Sequence, residues 1–88
     1  MNKKVEKIKA YAKGNEALEH SAEMLDLSIC SAAFYKKEIN ETLTEIVNMI
    51  EKKDVNNDEL NKVITEKYKM FIKLSRGRDD DMRKEILG

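Results

Sequence analysis

Apolar side chains recur along the first half of the chain at separations that alternate between three and four residues. The row starts at Ile8 and continues without a slip to Ile50, with polar residues only at Asn15 and Lys36. This spacing is typical of a helix that packs along a partner helix. We predict that the row forms an association stripe, whose members are Leu18, Ala22, Leu25, Ile29, Ala32, Ile39, Leu43, Ile46 and Ile50.

The unbroken phase predicts one long helix from about Asn15 to Lys53, with a length of about 58 Å. A rival break at Asp26-Leu27-Ser28, where two helix-capping residue types occur together, would give three helices of similar length instead. Upstream, Gly14 is compatible with the end of a short helix over residues 3–13, with Asn15 capping the next helix, or with a place inside a continuous helix. Because the phase survives across Gly14, we expect a kink or short break there rather than a reversal.

A turn is predicted at residues 54–58, where Asn and Asp cluster and bond readily to their own backbone. Asn56 and Glu59 have the spacing of a capping box, which begins a helix that runs to about Ser75. Gly77 is predicted to end that helix, and residues 79–81, all aspartates, to begin a last short one. The apolar residues of the helix between them are Leu60, Val63, Ile64, Phe71 and Leu74, with Tyr68 and Ile72 on the flank.

These elements predict an all-α fold. Strand signals are nearly absent, since the chain has no alternating β-branched stretch and no Asn-Gly or Asp-Gly turn. The 88 residues allow a single helical domain over residues 1–88. We expect a long helix folded back by the turn near 54–58 into a helical hairpin or a small three- or four-helix bundle with coiled-coil-like packing.

Charge is balanced overall but segregated along the chain. The 17 cationic and 17 anionic side chains give a net charge of zero, which argues against a dedicated nucleic-acid binder. Residues 1–13 carry +4, residues 14–34 carry −4 and residues 67–78 carry +5. A fold-back near residue 56 places residue i opposite residue 111−i, so the positions opposite residues 16–26 lie mostly beyond residue 88. We therefore expect this acidic segment to meet solvent, the N-terminal helix or another subunit. We favour another subunit, because an uncovered apolar stripe is an association surface.

The composition predicts a cytoplasmic protein with no membrane segment. No apolar run approaches the roughly 20 residues of a membrane-spanning helix, and the first residues lead into charges rather than a signal-peptide core. Cys30 is the only cysteine, which excludes an internal disulfide and a cysteine-based zinc cluster. We expect Cys30 to be a small buried residue.

Three patterns match parts of catalytic or metal-binding motifs. Asp54, Asn56 and Asp58 match the first positions of a calcium loop, but Glu59 and Thr65 occupy positions that require glycine and glutamate. The only histidine lies among carboxylates, and one histidine cannot supply a helical di-metal site. That cluster is Glu16, Glu19, His20 and Glu23, and a second set typical of magnesium-dependent nucleotide hydrolases is Glu38, Glu41 and Glu45. We interpret both sets as solvated faces and predict no catalytic residue, metal or cofactor.

Two surfaces are candidates for binding. Lys62, Lys69, Lys73 and Arg76 share a basic face beside Tyr68, with Arg78 just past the predicted end of the helix, and could contact phosphates or a partner protein. A run of small residues in the proposed long helix predicts either a groove for a partner helix or close packing inside the bundle. That run consists of Ser21, Ala22, Ser28, Cys30, Ser31, Ala32 and Ala33.

In size and helicity the chain resembles small four-helix immunity proteins against bacteriocins and phage-encoded inhibitors of host enzymes. The resemblance covers no motif, so it assigns no residue. We predict a small non-enzymatic protein–protein interaction module, an adaptor or an inhibitor, that docks helix on helix and forms a homodimer. The alternative is a nucleic-acid-associated regulator that uses the basic face at residues 69–78.

Overall fold

The computed structural model describes residues 2–53 and 55–87, with side chains described as far as residue 77. Within this part of the chain the backbone forms four helices and no strand. They are α1 (Lys3–Ala12), α2 (Glu16–Ser31), α3 (Lys36–Lys52) and α4 (Asn57–Leu87). The predicted all-α class is therefore confirmed, as a small bundle with dimensions of 50 × 22 × 21 Å.

The first connection reverses the chain. Gly14 has a left-handed φ of +96°, and the side chain of Asn15 accepts a hydrogen bond from Leu18 N at the start of α2. The predicted short first helix and its neighbouring cap are confirmed, but the expected kink is wrong. Lys9 Nζ lies 2.5 Å from Asp26 Oδ2, whereas on one continuous helix these residues would be about 25 Å apart.

The predicted long helix from Asn15 to Lys53 is also wrong, because the chain leaves the helix at residues 32–35. Ala32 N–H donates to both Ser28 O and Ile29 O, and Tyr35 N–H donates to Ala32 O, which forms a tight turn. The rival break at 26–28 is wrong as well, since those residues lie inside α2. A connection of four residues keeps the three–four phase of the apolar row, so the pattern looks continuous across it.

The predicted turn after α3 is confirmed. Lys53 adopts a left-handed φ of 57°, and Asn56 Oδ1 accepts a hydrogen bond from Glu59 N in the first turn of α4. Asp54 lies outside the described residues. Glu45 on α3 reaches Lys67 on α4 at 3.4 Å, close to the register in which residue i faces residue 111−i. α3 and α4 are therefore antiparallel neighbours.

α2 and α4 form the most extensive helix–helix contact of the fold. The Oγ of Ser21 lies 3.4 Å from Thr65 Oγ1, and Ser75 Oγ donates to Ser31 O at 3.2 Å. Both pairs are separated by 44 positions, so the two helices run parallel and side by side. α1 packs against α2 and α3, with Lys4 donating to Asn40 at 2.6 Å. None of the described helices has the length and apolarity needed to cross a membrane.

α4 continues where the sequence predicts an end. It runs without interruption through Gly77 to Leu87, so the predicted separate last helix beginning at residues 79–81 is wrong. α2 ends at Ser31, level with Ser75. Residues 76–87 therefore extend beyond α2 by about 18 Å.

The two internal glycines are expected to respond oppositely to replacement by alanine. A Cβ at Gly77 meets nothing within 4 Å, and the residue lies in a helix, so Gly77→Ala should stabilise α4 by about 1 kcal/mol. Gly14 has a left-handed backbone, so Gly14→Ala should destabilise the protein by about 1 kcal/mol or more. Thermal unfolding should show shifts of about 4–8 °C in opposite directions. Equal shifts of the same sign would contradict the two backbone assignments.

Candidate functional site

The predicted association stripe lies inside the bundle rather than on its surface. Most of its members are almost fully buried, and the other two are partly buried against the core. The buried ones are Leu18, Ala22, Leu25, Ala32, Ile39, Leu43 and Ile46, and the partly buried ones are Ile29 and Ile50. The fold-back of α1 and the break at 32–35 supply the partner helices within one chain. The argument for a second subunit that rested on an uncovered stripe no longer applies.

The small residues of α2 divide between the interior and the surface. Ser21, Ala22, Ser28 and Ala32 are buried, and close packing inside the bundle, one of the two predicted interpretations, explains them. Ser21 Oγ also donates to Asn61 Oδ1 on α4. Cys30 is exposed, so its prediction as a buried residue is wrong.

The basic face exists as an exposed row on α4. Lys69, Lys73 and Arg76 are all exposed, and Lys62 continues the row toward the start of the helix. Separations of seven, four and three residues place these four cations on one side of the helix, opposite the buried Phe71. The side chain of Arg78 lies outside the described residues.

A second exposed row follows the outer side of α2, next to the basic row. Its members are separated by four, three, four and three residues, so they form one stripe. They are Glu16, His20, Glu23, Leu27 and Cys30, all of them exposed. α2 carries four carboxylates and no lysine or arginine, so an acidic helix lies directly beside a basic one.

An apolar strip lies where these two rows meet. Leu27 exposes 58% of its surface, and Met24 on α2 and Ile72 on α4 are partly exposed. The offset of 44 between the helices places Ile72 level with Ser28, within one turn of Leu27. Phe34, which is 69% exposed, lies just beyond the end of α2, and its ring packs edge-to-face with that of Tyr35 at a centroid separation of 6.1 Å. This combination of an apolar strip with charged edges is the common composition of a protein-binding surface.

Sequence reasoning missed this strip, although one signal for it was present. Leu27 does not belong to the three–four row that contains Leu25 and Ile29, so it had to point away from the interior of an α2 helix. Its association with Ile72 depends on the pairing of α2 with α4, which no local pattern encodes.

The acidic segment is partly neutralised by α1. Lys9 bonds Asp26, and Glu19 Oε1 accepts a hydrogen bond from Gly14 N at 3.0 Å. The sequence left solvent, the N-terminal helix and another subunit open as neighbours of this segment, and the N-terminal helix covers one side of it. Glu16 and Glu23 remain on the outer stripe.

The Lys9–Asp26 pair predicts a defined pH dependence. The hydrogen bond to Asp26 raises the pKa of Lys9 above its ordinary value of 10.5, against a smaller opposing effect of desolvation. A raised lysine pKa means that the stabilisation is complete below pH 10.5 and disappears as the pH rises through the folded-state value. Both side chains are partly exposed, so the pair contributes at most about 1 kcal/mol.

Lys9→Met isolates this contribution. The difference in unfolding free energy between wild type and variant, measured in urea, should stay constant from neutral pH to about pH 10 and shrink above it. Because the other lysines are present in both proteins, their contribution to the pH dependence cancels in this difference. A difference that grows at high pH would contradict the assigned pair.

The residues that suggested metal or nucleophilic chemistry stay separate. Within residues 2–53 and 55–77, no three His, Cys, Asp or Glu side chains converge in a way that could hold a metal ion. Glu38, Glu41 and Glu45 are exposed on α3, as expected for a solvated face. His20 and Cys30 lie on the same helix about 15 Å apart along its axis.

Comparison of the chain with protein-family models, curated proteins and solved structures gives no match. The case for function therefore rests on the geometry of the α2–α4 surface.

Proposed function

We propose that the chain is a small cytoplasmic, non-enzymatic interaction module that binds another protein on the outer surface of α2 and α4. The observation that carries the proposal is the exposed Leu27 in the acidic row of α2, with the partly exposed Met24 and Ile72 between that row and the basic row of α4. We call this surface, made of the two rows and the apolar strip, the α2–α4 face. An adaptor and an inhibitor or regulator are both modules of this kind.

The arrangement of polar and apolar groups supports protein binding. Desolvating Leu27, Met24 and Ile72 supplies a hydrophobic contribution of about 25 cal/mol per Å² of apolar surface. The flanking charges favour one orientation of a partner and repel wrongly charged ones. Helix-to-helix docking therefore uses the outer sides of α2 and α4, while the predicted stripe stabilises the module itself.

A comparison of two glutamate variants tests this proposal. Leu27→Glu places a charge in the apolar strip, and Ala10→Glu makes a comparable change on the exposed side of α1. Tagged proteins incubated with extract of the native cell, with and without nuclease, are compared by quantitative mass spectrometry. We expect Leu27→Glu to lower partner recovery about tenfold, Ala10→Glu to leave it unchanged, and nuclease to have no effect. Equal recovery by both variants would contradict the proposal.

A nucleic-acid-associated regulator is the second candidate, because Lys62, Lys69, Lys73 and Arg76 form an exposed row. Glu66 is also exposed on α4 and lowers the net charge of this side of the helix. Binding to a nucleic acid should weaken steeply with salt, and Lys73→Glu with Arg76→Glu should abolish it. Recovery that requires intact nucleic acid in the extract experiment would favour this candidate over the first.

A further inference from the structure

We infer that the partner of the α2–α4 face is a second copy of the same chain, in a parallel twofold dimer that places α2 of each copy on α4 of the other. The inference rests on the proposed function, since it names the protein that the face binds. Its basis is the charge complementarity between two helices that lie side by side in one molecule.

The orientation follows from the geometry of the bundle. A twofold axis parallel to the helices brings two identical faces together and exchanges α2 with α4 while it keeps every residue at its own height. The 44-residue offset places Glu16 level with Leu60 and Glu23 level with Lys67. The cations Lys62 and Lys69 lie two residues further along, which is about 3 Å.

Two pairs of opposing positions match in charge and one matches in apolar character, while Glu66 lies between the two cations of α4 without a lysine or arginine opposite it on α2. Glu16 of one copy faces Lys62 of the second, and Glu23 faces Lys69. The twofold axis repeats both pairs, so the interface contains four of them. Leu27 lies within one residue of the height of Ile72, which places apolar surface against apolar surface. The four carboxylates of α2 are not accompanied by any cation on that helix.

The chain itself supplies the occupant that the face requires. An acidic helix with an exposed apolar side chain complements the basic row of α4 and the apolar strip beside it, and α2 presents such a surface in its outer stripe. The net charge of zero means that two copies do not repel each other at long range. A second copy therefore offers an acidic helix to α4 and a basic helix to α2 at once, which a single unrelated acidic helix does not.

Charge-swapped variants test the dimer by sedimentation equilibrium at low ionic strength. Wild type should be a dimer that weakens as salt is added. Glu16→Lys with Glu23→Lys, and separately Lys62→Glu with Lys69→Glu, should each raise the dimer dissociation constant more than about tenfold. The chain with all four substitutions should dimerise again, and a mixture of the two double variants should form a heterodimer.

Matched controls separate a specific interface from a general effect of charge. Glu38→Lys with Glu41→Lys, and Lys3→Glu with Lys13→Glu, make the same charge changes at exposed positions on α3 and at the two ends of α1, and should leave the dimer intact. Circular dichroism verifies that each variant is folded. A monomeric wild type, or a dimer that survives both double substitutions of the face, would overturn the inference. If wild type is monomeric but Leu27→Glu still lowers the recovery of another protein from extract, only the inference of a dimer fails. If wild type is monomeric and Leu27→Glu recovers as much partner as Ala10→Glu, the proposed function fails as well.

Discussion

Leu25→Asp is expected to unfold the protein or lower its free energy of unfolding by more than about 4 kcal/mol. Leu25 is 1% exposed, so the new carboxylate would be buried away from water without a partner. A domain of this size has roughly 4–13 kcal/mol of total stability, so the loss removes much or all of it. The measurement is urea unfolding followed by far-UV circular dichroism.

Leu27→Asp is the matched control, because it makes the same change two positions away on the same helix. Leu27 is 58% exposed, so its substitution should change the unfolding free energy by about 0.5 kcal/mol or less. The pair also separates two explanations of the apolar stripe. If the stripe joined two subunits, Leu25→Asp would give a folded monomer; in the four-helix fold it gives an unfolded chain.

Phe71→Ala is expected to lower the free energy of unfolding by about 3–5 kcal/mol. Phe71 is 0% exposed and belongs to the core to which all four helices contribute. Alanine would leave a cavity that the surrounding side chains fill only in part. The urea midpoint should fall with little change in the slope, because the surface exposed on unfolding is nearly the same.

Phe34→Ala provides the comparison for Phe71→Ala. Phe34 is 69% exposed, so the same substitution should cost about 1 kcal/mol or less. Similar losses at the two positions would contradict the assignment of Phe71 to the centre of the bundle and Phe34 to its surface.

The sequence predicted those parts of the fold that depend on local chemistry. The all-α class follows from the three–four spacing, and the turn after α3 follows from the backbone-bonding preference of residues such as Asn56. The cap at Asn15 was likewise predictable, because an Asn side chain satisfies a free N–H at a helix start.

The connections were harder, for physical reasons that differ at each position. The break at residues 32–35 contains two alanines and no glycine or proline, so tertiary packing overrides a local preference for helix. Gly14 marks a helix end, but the direction of the chain after it depends on which helices pack together. Gly77 remains inside α4, where it costs about 1 kcal/mol relative to alanine without ending the helix.

Of the candidate surface, the sequence predicted the basic row but not the apolar strip. The row of Lys69, Lys73 and Arg76 lies on a single helix, so spacing alone identifies it. The apolar strip joins Leu27 to Ile72 across two helices, and only the parallel packing of α2 on α4 brings them together. The sequence placed Ile72 on the flank of α4, but it did not show that α2 is the helix beside that flank.

A dilution series of amide ¹H–¹⁵N NMR spectra of the wild-type chain tests the central claim most directly. The account predicts concentration-dependent shifts at Glu16, Glu23 and Leu27 on α2 and at Lys62 and Lys69 on α4. Amides on the outer sides of α1 and α3 should stay unchanged. Spectra that do not depend on concentration, or shifts confined to α1 and α3, would contradict binding of a second copy through the α2–α4 face.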